Sequence, residues 1–401
     1  MKTYKIFLIF VCLLLSVLSL GVTNQDFCYA EEEMTYEEIQ EKLEQTIGGQ
    51  LDNLDFSDFD NIISSLDENQ VKIFGSSNFY DKLKKLTMGE QNGDQQGIWG
   101  ELVNLFFDDI LEFMPLFSLI IAIAVAYSLV STARPKMKKN SIGDIIHFVC
   151  YGSIIVLVMS TIISMIQLTS NTIFSIKSQT DATFPILLTM LTAVGATTSS
   201  TVFQPSVALL GGTIMNVFSN ILMPLFIFRL VFSIISNLTT NVKFEKFADL
   251  FSSAFKWIIG FVFTIFSGFM AIQGISAGSF DSVSIRATKY AVKSSIPILG
   301  GYISDGLNLI LSSSILIKNA VGVAGLFLMA AVVVIPVLKL VVLMFSLKLT
   351  SAVLEPLTDN RISNFISMVA KSVSLLIVII VGMAFMYFFM TGLVIGAGNY
   401  F

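Results

Sequence analysis

The sequence predicts an all-α polytopic membrane protein with about five to seven transmembrane helices and a re-entrant segment, preceded by a small helical extracytoplasmic domain. Three observations lead there. Of 401 residues, 54% are hydrophobic and only 13% charged, whereas a soluble domain carries about a quarter charged. Apolar runs of spanning length recur from Phe113 to the end, and the mean hydropathy of the whole chain is +0.78. The charge is also divided: residues 31–112 hold 20 acidic and 5 basic groups, and from 113 onward there are 8 acidic and 17 basic. An acidic segment thus precedes a basic membrane body, which the net charge of −5 conceals.

The chain opens with Lys2 and Lys5, an apolar run from Ile6 to Leu20, and Cys28-Tyr29-Ala30 before three glutamates. Residues 1–30 therefore read as a signal peptide cut after Ala30, with an uncleaved anchor as the alternative. Residues 31–96 form an acidic helical segment and linker. Tyr36, Ile39, Leu43 and Ile47 share one helix face, and Gly48-Gly49 is expected to break that helix. Leu51, Leu54, Ile62 and Leu66 suggest a second helix, and Phe79, Leu83 and Leu86 a third. So few large apolar groups make a unit of marginal stability, and residues 31–90 are expected to tolerate more change than 273–319. Residues 97–112, with Trp99, Leu102, Leu105, Phe106 and Ile110, read as an amphipathic interfacial helix.

Residues 113–401 form the multi-span domain. Phe113 to Ser131 has crossing length, and Arg134, Lys136, Lys138 and Lys139 follow it, so that loop belongs in the cytoplasm. Ile145 to Leu168 returns outward. Residues 185–206 are ambiguous: Gly195 and Pro205 interrupt them, and they either span or form a re-entrant hairpin. The re-entrant option, with Val207 to Ile235 as the crossing, puts the weakly basic loop around Lys243 inside. Trp257 to Ile272, Ala320 to Ser346 and Val373 to Val394 are the remaining spans.

Three cysteines and a single histidine, His147, supply neither a disulfide framework nor a metal cluster nor a catalytic triad. A non-enzymatic chain without cofactor or nucleic acid partner is the expectation. Gly274–Gly278 and Gly392–Gly396 have the spacing that lets helices approach closely. Arg229 lies in an apolar run and is expected to snorkel toward the inner headgroups. Asp281, Asp305 and Glu355 are candidate proton carriers if the chain is a transporter.

The stretch 273–319 stands out because it is polar between two apolar runs. It holds Gln273, Gly274, Gly278, Arg286, Lys289, Pro297, Gly300, Lys318 and Asn319. Such a stretch lies at an interface, lines a cavity or is buried in protein. It reads either as amphipathic helices resting on the membrane or as a conduit or subunit-docking element.

In this stretch the chain resembles the stage III sporulation protein AE family. The resemblance rests on Gln273-Gly274, Ser284 to Lys289, Ile296 to Gly300 and Lys318 to Gly322, and on the layout of leader, acidic part, Trp helix and polytopic body. It implies a protein of the mother-cell membrane around the forespore, with its N-terminal domain facing the intermembrane space. It also implies membership of a secretion-like channel complex linking mother cell and forespore, needed for forespore development after engulfment. The implied partners are ring-forming proteins, small membrane proteins and a cytoplasmic ATPase, with membrane lipid around it and a homo-oligomer left open. The alternative is a stand-alone secondary transporter or permease.

Overall fold

The computed structural model describes residues 36–75, 78–88, 95–132, 141–238, 244–295, 300–358 and 360–399. The leader lies outside these residues. The N-terminal part is four short helices: α1 (Tyr36–Leu51), α2 (Ser57–Ser64), α3 (Glu68–Phe74) and α4 (Phe79–Thr87). Its core is aromatic. The Phe59 and Phe79 rings stack with centroids 3.9 Å apart, and Phe56, Phe74 and Leu83 are buried around them.

Two details depart from the sequence reading. Helix α1 runs through Gly48 and Gly49 to Leu51 instead of breaking. The glycines cost about 1 kcal/mol each, and burial of Ile47 and Leu51 offsets that cost. Helix α3 was not foreseen; it starts with a capping box, in which Asp67 accepts from the Gln70 amide and Gln70 Oε1 accepts from the Asp67 amide.

The membrane body is α5 (Gln95–Thr132), α6 (Ser141–Ala193), α7 (Thr197–Ala208), α8 (Met223–Leu238), α9 (Glu245–Ser295), α10 (Gly300–Leu354) and α11 (Asn360–Gly396). Between α7 and α8 lie two π-helical stretches, Leu209–Ile214 and Phe218–Leu222, separated by Met215–Val217. Pro224 follows the second, and the widened turn accommodates a ring that would otherwise press on the carbonyl four residues back. Residues 97–112 and 113–131 are one continuous helix, α5. Residues 185–193 complete α6, and 197–238 descend as one helical path, so 185–206 is the top of a helical hairpin with its apex at Gly195. Among the described residues, six helices are long and apolar enough to cross a membrane.

Helices α10 and α11 form the core hairpin, and α6 packs along both. One end of the bundle, called the inner end, joins α5 to α6, α8 to α9 and α10 to α11. There Ser351 and Ser363 each donate to the other's carbonyl, at 3.0 and 2.9 Å. Tyr151 of α6 donates to the Ile234 carbonyl of α8 nearby. The opposite, outer end holds the α6–α7 turn, the α9 and α10 termini that face each other in sequence, and the end of α11.

Close helix approach occurs at Gly322 and Gly325, not at Gly392 and Gly396. A Cβ at Gly322 would lie 2.4 Å from the Ile395 side chain, and one at Gly325 would lie 2.9 Å from the Tyr387 hydroxyl. Gly392 and Gly396 face open space, while no contact is described for Gly274 and Gly278. The N-terminal helices pack on this core. Ser314 of α10 donates to Gln50 at 3.2 Å, and Gln70 Nε2 donates to the Val332 carbonyl at 3.3 Å. Residues 36–88 are thus anchored to the membrane body, a tie that hydrophobic periodicity did not reveal.

Two outcomes follow from this packing. Gly322→Val should lower the thermal midpoint in detergent by an amount equivalent to about 1–3 kcal/mol, and adding Ile395→Ala should recover part of the loss. Burial pushes the Lys82 ammonium, seated 3.6 Å over the Phe74 ring, down to about 8 from 10.5. Between pH 8 and 10.5 the unfolded chain therefore binds more protons at this site, so stability rises with pH across that window. In melts of the full chain, Lys82→Met should remove that part of the rise.

Candidate functional site: two buried charges at the outer corner

Helix α6 ends in a Schellman turn. The Ala196 amide donates to the Leu191 carbonyl and the Gly195 amide to Thr192, with Gly195 at φ +84°. Only glycine adopts that conformation without strain. The chain then starts α7 at once, so the first amides of α7 point outward with no helical partner.

Asp281 of α9 supplies that partner. Its two carboxylate oxygens accept from the Thr198 and Ser199 amides at 3.1 and 2.8 Å, and the residue is fully buried. The charge sits on the positive end of α7, where the helix dipole favours an anion. Two α7 turns further in, Ser206 donates to Oε1 of the buried Gln273 of α9. Thr192 and Ser200 bridge α6 and α7 by their hydroxyls at 3.0 Å.

Lys318 of α10 is the complementary case. It is fully buried and uses all three ammonium donors on the end of α11: the Ile395 carbonyl at 2.9 Å, the Ala397 carbonyl, and Asn399 Oδ1 at 3.1 Å. These carbonyls form the negative end of α11. Gly398, at φ +79°, brings the two corners together: a Cβ there would lie 3.1 Å from Leu191, 3.5 Å from Ala196 and 3.6 Å from Lys318 Nζ. An anion and a cation are thus buried at one corner, each held by a helix end.

Deeper in the bundle lies a neutral polar network. Gln179 Nε2 donates to the Gly325 carbonyl at 2.6 Å and to the Tyr387 hydroxyl at 3.3 Å, and Tyr387 donates to Thr183 at 2.9 Å. It ties α6, α10 and α11 together at one level. Near the inner end Arg229 is buried and donates to the Lys371 carbonyl of α11 at 3.0 Å. It therefore grips a neighbouring helix instead of snorkelling.

The stretch singled out from sequence is two helix ends, the outer parts of α9 and α10. Gln273 and Lys318 join the corner. Asn319 lies beside Lys318, with Oδ1 buried and unpartnered among the described residues. Gly274 and Gly278 lie within α9, Gly300 opens α10, and Pro297 lies outside the described residues. The side chains of Arg286 and Lys289 also lie outside them. Asp281, considered from sequence only as a proton carrier, is a helix-capping group. The α6–α7 turn and the C-terminus were not foreseen as part of the site, although Gly195 before a run of Thr and Ser marks a helix end and restart.

The profile of the stage III sporulation protein AE family matches residues 77–398, which include Gly195, Asp281, Lys318 and Gly398. The chain belongs to that family. It is similar to stage III sporulation protein AE of Bacillus subtilis (strain 168), at 25% identity over 317 residues covering 79% of each chain. No solved structure matches. The family match begins after α3, so helices α1 to α3 are additional to it.

For this member of the family, Asp281→Ala should cost about 2 kcal/mol of stability, because two α7 amides lose their acceptor. Asp281→Asn, which keeps one acceptor, should cost less. Thermal midpoints of the purified chain in detergent check the order; equal loss from Asn and Ala would contradict it.

Proposed function

We propose that this chain is a non-enzymatic membrane platform of a secretion-like complex that links mother cell and forespore during sporulation. The observation that carries the reading is family membership over most of a polytopic helical body. Arg134, Lys136, Lys138 and Lys139 follow α5 in sequence, and α5 ends at the inner end, which supports a cytoplasmic inner face. The N-terminal helices and the corner around Asp281 and Lys318 then face the intermembrane space. There they are available to ring-forming partners, while a cytoplasmic ATPase and small membrane proteins meet the other face or the flanks.

Arg286 and Lys289 belong to the outer part of α9, toward the intermembrane space in this reading. Deleting the gene in a spore-forming host should leave engulfed forespores that shrink and keep late reporters silent. Normal maturation would overturn the reading and favour a stand-alone permease. Reversing the charge of Arg286 and Lys289 together should cut spore yield at unchanged protein level; wild-type yield would exclude this face from assembly.

A further inference from the structure

The helices of the body are far longer than a bilayer. α6 has 53 residues, α9 has 51 and α10 has 55, about 80 Å each at 1.5 Å per residue, where hydrocarbon is about 30 Å thick. The apolar run of α10 invites the reading that its whole length from Ala320 inward lies in lipid. Three observations place the lipid boundary elsewhere.

The first is Gln70. Pro336 has no amide, so the Val332 carbonyl one turn earlier lacks its helical donor. Gln70 of α3 fills that place, at 3.3 Å. Gln70 belongs to a unit with exposed Asp52, Asp55, Asp58, Asp60 and Glu68. Hydrocarbon does not admit that unit, so the level of Val332 lies outside it. From Val332 to the inner end of α10 there remain about 22 residues, roughly 33 Å, which is one bilayer.

The second is the changing outer face of α6. Near the inner end its exposed residues are Phe148, Val149, Val156 and Ile163 with the small hydroxyls of Ser153, Ser160 and Ser164, and no charge. From Gln167 onward amide and charged groups enter, with Ser170, Asn171, Lys177 and Asp181 exposed around one large apolar residue, Phe174. The third is that Asp108 and Glu112 are exposed on α5 immediately before its apolar run. In the outer halves of α10 and α11 Ile310, Phe327 and Phe389 are exposed, and much of the remaining apolar surface is covered. Leu328, Met329, Met383 and Met386 are fully buried there, under α6 and the N-terminal helices.

We propose that only the inner half of the bundle is embedded, and that the outer half is a water-exposed helical turret. It stands about 40 Å off the membrane, comprises the outer parts of α6, α9, α10 and α11 with α7, and is closed on one side by α1 to α4. The corner of Asp281 and Lys318 then lies within a soluble layer, about 20 Å outward of Val332, instead of at the lipid surface. Soluble partners meet the sides of helices, not loops.

The test is cysteine labelling of the full chain in membranes open on both sides, which makes the result independent of orientation. In a variant with its three cysteines changed to serine, single cysteines replace Asn171, Lys177 and Asp181, with Val156 and Ile163 as lipid-facing positions on the same helix. A charged maleimide should label 171, 177 and 181 at least ten times faster than 156 and 163. Protection of 171–181 equal to that of 156 would overturn the turret. Imaging the unmodified chain in a lipid nanodisc gives a second reading. The outer edge of the disc should fall inward of Val332, and a disc that encloses Gly325 would overturn the proposal equally.

Discussion

Two charges buried at the outer corner of the bundle set the constraint on which the rest of the structure depends. A carboxylate or an ammonium without compensation is among the most costly groups to bury. Here Asp281 and Lys318 do not neutralise each other; each is held by the end of a helix. The solution requires that α7 begin where α9 passes and that α11 end where α10 passes. It therefore fixes the relative height of the helices to within a turn. The Gly195 turn and Gly398 make the junction possible, because neither leaves room or conformation for a side chain.

Below the corner, the same principle of local polar satisfaction recurs with weaker groups. Gln179, Thr183 and Tyr387 tie three helices at one level, and the reciprocal Ser351–Ser363 bonds pin the α10–α11 hairpin at the other end. At the Gln179 level and just outward of it the helices meet through glycine contacts at Gly325 and Gly322, and inward of it through buried aliphatic and Met side chains. Polar ties specify register, and apolar packing supplies the bulk of the attraction.

Much of this was legible in the sequence, and the exceptions have physical reasons. Composition and periodicity gave the class, the membrane body and the polar stretch that contains Asp281 and Lys318. Hydropathy does not separate a lipid-facing helix from one buried in protein, so the outer half of α10 reads as membrane. Gly48-Gly49 suggested a break because propensity is local, whereas the force that keeps α1 helical comes from α10, more than 250 residues away in sequence. The Gly392–Gly396 pair faces open space, because spacing does not say which face meets a neighbour. Helix-end capping by a residue from a distant helix leaves no signature in spacing, so the role of Asp281 and of the C-terminus waited for coordinates.

The most direct test of the two-charge account removes the acceptors and the cation separately and together. Deleting residues 397–401 strips Lys318 of the Ala397 carbonyl and Asn399. The thermal midpoint of the purified chain should fall sharply with this deletion in the wild-type background. It should fall much less when the deletion is made in Lys318→Met, where no buried cation awaits the lost partners. An equal fall in both backgrounds would show that the C-terminus is held by packing alone and would contradict the account.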